Sequence, residues 1–166
     1  MIKDMKTKIL LLVFLFISMA GVAQKKEIAT ARDYVKKNTS LDKAEQMMRT
    51  LLADSDNRSN TKIWNVLFDA QRRQYENGNE KLYLKQKYDT AAIFNITSRM
   101  FRDMETYDSL FNLPHPKESD AKEWRKSHGQ LLNMIRPNLL NGGLFFIRRQ
   151  KYDTAYLLLN QYIETA

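Results

Sequence analysis

Hydrophobic residues recur at intervals of three and four positions along most of this chain, the spacing that places side chains on one face of an α-helix. The spacing predicts helices at about 26–37, 41–53, 61–77, 80–87, 89–111, 119–135, 137–150 and 153–165. The sequence contains no convincing strand alternation or hairpin turn. We therefore expect an all-α fold of seven or eight helices in antiparallel pairs.

Polar and helix-breaking residues set the predicted boundaries of these helices. The polar segment 54–60 predicts a loop, and the Asn-Gly-Asn sequence at 77–79 predicts an interruption after the third helix. Thr39 and Asp42 have the spacing of a capping box at the start of the second helix. The Leu-Pro-His-Pro sequence at 113–116 ends the long fifth segment, because proline disfavours helix at its own and the preceding position.

The six residues Gln-Lys-Tyr-Asp-Thr-Ala occur twice, at 86–91 and 150–155, which are 64 positions apart. An internal repeat of this kind indicates a structural unit that is used more than once. In each copy an aspartate, Asp89 or Asp153, is a predicted N-cap whose carboxylate accepts from free backbone N–H groups. The string therefore predicts the start of a helix at both places.

The tyrosine of each copy stands five positions before an aliphatic residue. In the second copy Tyr152 and Leu157 occupy the N′ and N4 positions of a predicted hydrophobic staple, and Tyr88 and Ile93 do so in the first. The helix after the second copy has a predicted apolar face, made of Ala155, Leu158, Leu159, Tyr162 and Ile163.

Small, aromatic and alanine residues are spaced in a recognisable way between residues 137 and 163. Gly143 lies midway along the first helix, Phe146 follows three positions later, and Ala155 comes early in the second helix. This arrangement resembles the tetratricopeptide repeat. The typical Trp and Leu-Gly pair of that family is missing, so the resemblance rests on architecture.

Two earlier segments resemble the same repeat in weaker form. The copy at about 75–101 keeps Ala91 but has Asn79 and Leu82 at the glycine and aromatic positions, and 28–51 has Ala44 at the alanine position. The resemblance implies an α-solenoid whose concave face, lined by the first helix of each pair, grips a peptide or partner domain. The expected partner-binding residues, chosen because they lie off the buried stripe, are Arg72, Tyr75, Asn138, Asn141, Phe145 and Arg149.

The N-terminal residues have the three parts of a secretory signal peptide. Lysines precede an unbroken apolar run at 9–17, and small residues lead to a predicted cleavage site after Ala23. The apolar run is shorter than the roughly 20 residues of a membrane span. We therefore expect 1–23 to be a signal peptide and 24–166 a tetratricopeptide-like domain in the periplasm or cell envelope, not membrane-spanning once mature, and without a lipid anchor because the chain has no Cys.

The chain is basic, with a formal net charge of +8 that falls to +6 when residues 1–23 are removed. Its positive charges are scattered over several helices and not gathered in one run, which is typical of a solvated surface. Export argues against nucleic acid as a partner. The expected partner is a protein or peptide.

Residues suited to catalysis are scarce. The chain has no Cys and two His; His115 lies between two prolines, and His128 lies one helical turn after Trp124 on an apolar stripe. No metal-ligand spacing and no phosphate-binding glycine loop occurs in the sequence. We expect a non-enzymatic protein without cofactor or metal.

Two further interpretations stay open. Abundant aromatic residues make a glycan or small-ligand binding protein the alternative to a scaffold, although the exported helical-repeat proteins that capture glycans are generally anchored through a Cys. The acidic-hydroxyl sequences at Thr90, Ser109 and Thr154 resemble O-glycosylation sites of exported proteins.

The end of the chain raises a related question. The predicted apolar face of the last helix has no polar helix after it, although stacked helix pairs need a capping element for solubility. Either 24–166 is the N-terminal part of a longer protein or something docks on this face, and we favour the first. Self-association through the face from Leu157 to Ile163 is the expected consequence if the stack is unfinished.

Overall fold

The computed structural model describes residues 23–111 and 118–165, without the side chains of 118–125 and 127, and all regular structure in these residues is helical. The helices are α1 (23–36), α2 (Leu41–Ala53), α3 (Thr61–Tyr83), α4 (Thr90–Phe111), α5 (Glu118–Ile135), α6 (Pro137–Ile147) and α7 (Tyr152–Glu164), with a 3₁₀ turn at Ser55–Asn57. The predicted all-α class is confirmed. Among the helices that can be described, none has the length and apolar character needed to cross a bilayer. The predicted signal peptide and His115 lie outside the described residues, apart from Ala23.

Helices α1, α3 and α6 end in the same kind of turn. Each is closed by a residue with positive φ, Asn38 at 53°, Lys85 at 55° and Gln150 at 58°. In the second of these turns the Lys85 N–H donates to the Leu82 carbonyl at 3.1 Å, and the next N–H donates five residues back. This pair of bonds defines a Schellman motif. None of the three residues is glycine, although the left-handed region costs a residue with a Cβ roughly 1–2 kcal/mol.

The described residues fall into two compact units, 23–67 and, apart from 112–117, 68–165. In the first, the Gln24 side chain donates to the Asn57 side chain. This bond places the start of α1 beside the turn that follows α2, so the two helices are antiparallel. The Trp64 indole N–H donates to the Arg58 carbonyl at 2.8 Å, which ties the start of α3 to the preceding loop. The fully buried side chains of this unit include Ala31, Ala44, Met48 and Ile63.

The start of α2 differs from its prediction. Ser40, not Thr39, is the N-cap residue, and it has left-handed backbone angles and no side-chain capping bond. The expected capping box between Thr39 and Asp42 is therefore wrong. The left-handed residue Asn38, two positions earlier, closes α1 and leaves only two residues before α2 begins.

The second unit is built around one hydrophobic cluster to which α3 to α7 all contribute. Its buried members are Phe68, Tyr75, Ile93, Phe94, Ile96, Met100, Phe101, Met104, Leu132, Ile135, Leu139, Phe146, Ala155 and Leu158. Gln71 of α3 donates to Asp103 of α4 at 2.6 Å, while Gly78 lies beside Ile93 near the turn, so these helices are antiparallel. The buried residues of α4 recur at helical spacing from Ile93 to Tyr107.

Helix α3 continues through the predicted break at 77–79. Gly78 is buried inside the helix, and a Cβ there would lie 2.7 Å from the Tyr88 ring and 2.8 Å from Cδ1 of Ile93. The glycine thus makes room for the side chains of Tyr88, in the turn before α4, and Ile93, in α4. The prediction of an interruption and a separate helix at 80–87 is wrong, because close approach and not chain reversal accounts for this glycine.

The two copies of the repeated string begin their helices differently. Asp89 caps α4 as predicted, since its carboxylate accepts the Ala91 N–H at 2.9 Å. Helix α7 instead begins at Tyr152, with Lys151 as an N-cap residue that makes no side-chain capping bond, so Asp153 lies in the first turn. The predicted cap at Asp153 is therefore wrong, and so is the predicted register of the staple that places Tyr152 before the helix.

Candidate partner-binding surface

Four of the predicted partner-binding residues lie on one side of α6 and the turn after it. Asn138, Asn141, Phe145 and Arg149 follow one another at intervals of three or four residues, which aligns them along a helix face. Asn141 and Arg149 are exposed, whereas Asn138 and Phe145 are half-buried. The face thus presents polar groups to solvent over a partly buried base.

Arg149 and Phe145 form a stacked pair at the end of this face. The guanidinium lies 3.5 Å from the centre of the Phe145 ring, and its Nη1 donates to the Phe145 carbonyl at 3.3 Å. A cation over an aromatic ring is attracted by the negative face of the ring. Two further aromatic rings pack against the pair, because the Phe145 ring lies 5.2 Å from the rings of both Phe94 and Phe146.

Asn138 connects α6 to α3. Its amide Nδ2 donates to the phenolic oxygen of Tyr75 at 3.0 Å. Tyr75 is only 8% exposed and belongs to the hydrophobic cluster, so the expectation that it lies off the buried stripe is wrong. Its ring packs as a core residue while its hydroxyl group reaches a polar neighbour, which is how buried tyrosines are usually accommodated.

Arg72 is exposed on α3, and its Nε donates to Glu76 one turn along the same helix at 2.8 Å. The structure therefore brings Tyr75 together with Asn138, and Phe145 together with Arg149, in the second unit. Asn141 stays exposed between these two pairs on α6. Tyr75 and Asn138 are 63 positions apart, so sequence spacing alone could not have shown that pair.

The predicted apolar face of α7 is mostly buried. Ala155 and Leu158 are 2% and 1% exposed, and Tyr162 packs against the hydrophobic cluster. Of the face expected to remain uncovered, Ile163 is 70% exposed and Leu157 is 48% exposed. A different stripe of α7 carries the other exposed apolar residues, Tyr152 and Tyr156.

His128 is a packed residue of α5. Its ring meets the Phe68 ring edge-on, with 4.1 Å between centroids. This contact agrees with the predicted position of His128 on an apolar stripe.

The chain matches no protein family, and searches of curated proteins and of solved structures find no match either.

Proposed function

We propose that this chain is an exported, non-enzymatic scaffold of tetratricopeptide-like type that binds a protein or peptide through the α6 face. The observation that carries the proposal is the stacked pair of Phe145 and Arg149, which packs on buried aromatic rings. The exposed amide of Asn141 lies one helical turn before Phe145. Aromatic residues and arginines that are already held in place are favoured anchors at protein interfaces, because little conformational entropy is lost on binding.

The chemistry of the face suits a polypeptide ligand. The Asn141 amide can donate to and accept from a peptide backbone. The guanidinium of Arg149 is planar and offers donors to a carbonyl or carboxylate while its stack on Phe145 limits its rotation. Periplasmic or envelope location is part of the proposal and is supported by the charged, apolar and small-residue segments of 1–23.

The test is recovery of a cross-linked partner by the exported protein in its host. We compare the wild-type protein with the Asn141→Ala/Arg149→Ala double variant, and with Arg148→Ala as a matched control. Arg148 is an exposed arginine next to Arg149 that points to another side of the helix end. We expect the double variant to lose most of the recovery of a given partner and the control to retain it.

Equal recovery with all three proteins would show that the α6 face does not bind the partner. Circular dichroism of each variant confirms that the helices remain folded. Saturable binding of a soluble oligosaccharide, unaffected by the double variant, would instead favour the glycan-binding alternative.

A further inference from the structure

A groove lies between α4, α5 and α7 in the second unit, and none of its lining residues belongs to the α6 face. It consists of two hollows of about 280 and 420 Å³ that share Glu105 as a lining residue. The floor of the first hollow is apolar and includes Phe101, Met104 and Leu132, which are 5–9% exposed. The second hollow follows α7 along its outward side from Asp153 to Glu164.

The rim of the groove is acidic. Glu105 and Asp108 line the first hollow, and Glu105, Asp153 and Glu164 line the second; among the residues whose side chains the structure describes, neither lining includes a Lys or Arg. This stands out in a chain in which Lys and Arg outnumber Asp and Glu by 27 to 19. The second hollow, which α4 and α7 line with three carboxylates, is therefore expected to have a negative local potential on a protein whose net charge is positive.

Two carboxylates of this rim, those of Glu105 and Glu164, repel each other. Partial burial, and after it the negative charge of Glu164, raise the pKa of Glu105 above its usual value. Both causes disfavour the ionised carboxylate. A cationic group placed between Glu105 and Glu164 would relieve this repulsion.

The outward side of α7 also presents hydrophobic surface. Tyr156 and Leu157 line the second hollow and are 72% and 48% exposed. With Asp153, Asn160 and Glu164 they recur at three- and four-residue intervals, which makes a continuous ridge along the helix. A ridge beside a groove is the surface against which another helix packs, with its apolar residues at the same spacing.

The charge pattern of the groove favours a basic partner over a second copy of this chain. Two copies of the chain that met groove to groove would bring the same carboxylates together, because a two-fold interface pairs a surface with itself. Such a dimer is disfavoured by the repulsion of like charges. We propose that the groove between α4 and α7 binds a basic amphipathic helix of another protein, whose apolar side covers Tyr156 and Leu157 and whose Lys or Arg residues meet Glu105 and Glu164.

The experiment uses the purified full chain and two fluorescent peptides of 18 residues, as about five helical turns suffice to cover α7. Both peptides have Leu at helical spacing; the remaining positions are Lys in one and Glu in the other. Binding is measured by fluorescence anisotropy at low and physiological salt. We expect saturable binding of the Lys peptide only, weakening with salt because the contacts are exposed ion pairs.

Three variants locate the binding. Glu105→Gln/Glu164→Gln should weaken the Lys peptide by about tenfold, since each exposed ion pair contributes at most roughly a factor of five. Leu157→Ser, which leaves the charges intact, should weaken it too. Glu80→Gln, a change of an exposed carboxylate on α3, is the matched control and should leave the affinity unchanged.

Equal binding of both peptides, or equal loss with the control and the double variant, would overturn the proposal. Light scattering on the same samples tests whether a second copy of the chain occupies the groove. If the wild-type chain self-associates and Leu157→Ser makes it monomeric, a second copy fills the groove and a separate basic partner does not. The Asn141 and Arg149 variants leave this groove intact, so failure here is distinguishable from failure of the proposed α6 face.

Discussion

The repeated string at 86–91 and 150–155 has the same six residues, but it occupies different positions relative to the turn before it. In the first copy the left-handed residue is Lys85, just ahead of the string, whereas in the second it is Gln150, within the string. The following helix accordingly starts at the fifth residue of the first copy and at the third residue of the second. The end of the preceding helix thus determines at which residue of the identical string the next helix begins.

The same difference appears in what each tyrosine contacts. Tyr88 stands before α4 and packs against the hydrophobic cluster, with its ring close to Gly78. Tyr152 is already helical and is 63% exposed. Gly142, which is 64 residues after Gly78, is close to Phe94 and Leu158 and not to the tyrosine of its own copy. The Phe94 side chain of α4 therefore lies beside Gly142, whereas Tyr88 and Ile93 lie beside Gly78.

The largest contrast is expected at the aliphatic residue five positions after each tyrosine. Ile93 is 3% exposed and Leu157 is 48% exposed. Ile93→Ala should lower the free energy of unfolding by about 2–4 kcal/mol through lost burial and a cavity. Leu157→Ala should lower it by less than about 0.5 kcal/mol, as for most surface changes. Urea unfolding followed by circular dichroism measures both, and equal losses would mean that the two copies are packed alike.

Glycine-to-alanine substitutions in three helices should show which helix packs most closely against its neighbour. A Cβ at Gly142 would lie 2.8 Å from Cβ of Phe94, an atom fixed to the backbone of α4, so Gly142→Ala should destabilise by about 1–3 kcal/mol. At Gly78 the nearest atoms are the ends of the Tyr88 and Ile93 side chains, which can move, so Gly78→Ala should cost less.

Gly129 of α5 is the matched control for that series. A Cβ there meets no atom within 4 Å. Gly129→Ala should therefore raise the free energy of unfolding by about 0.5–1 kcal/mol, because alanine loses less backbone entropy in a helix. If Gly142→Ala were also stabilising, the close approach of α4 to α6 would not be essential.

The helix caps give the next contrast. Asp89→Ala should lower stability by about 1 kcal/mol, since it removes the acceptor for the Ala91 N–H. Asp153 makes no such cap, and Asp153→Ala should remove only the favourable charge at the helix start, about 0.3–0.5 kcal/mol. Asp89→Asn, which keeps an acceptor oxygen, should restore most of the stability. Thermal melts of the three variants measure the order, and a larger loss at Asp153 would contradict it.

Helical periodicity was enough to predict the all-α class and the ends of α2, where the buried residues Leu41, Ala44 and Met48 recur at three- and four-residue spacing. It could not predict the three left-handed turns, since Asn38, Lys85 and Gln150 are not glycines and their conformation is fixed by the pair of backbone bonds around them. It misplaced the break at Gly78 for the opposite reason, because a glycine can serve a neighbouring side chain without ending a helix.

Sequence spacing also predicted the candidate surfaces only in part. Spacing along α6 correctly aligned Asn138 with Phe145, but Tyr75 was expected off the buried stripe and is a core residue whose hydroxyl group bonds to Asn138. The acidic groove was not expected at all. Its residues come from α4, α5 and α7, and only the folded chain brings Glu105 and Glu164 to the same hollow.

The smallest expected effect concerns the Tyr88 phenol. Burial, followed by the nearby Asp89 carboxylate, raises its pKa above the ordinary value of 10, and Arg99 opposes them. Because the folded state holds this proton more tightly than the unfolded state, the stability it contributes is present below pH 10. That contribution is lost as the pH rises through the folded pKa. The difference in phenolate absorbance between wild type and Tyr88→Phe should therefore titrate above pH 10 in the folded protein and near pH 10 in urea. A shared midpoint in both conditions would show that Tyr88 is not packed against α3, and the two copies of the string would then no longer differ at their tyrosines.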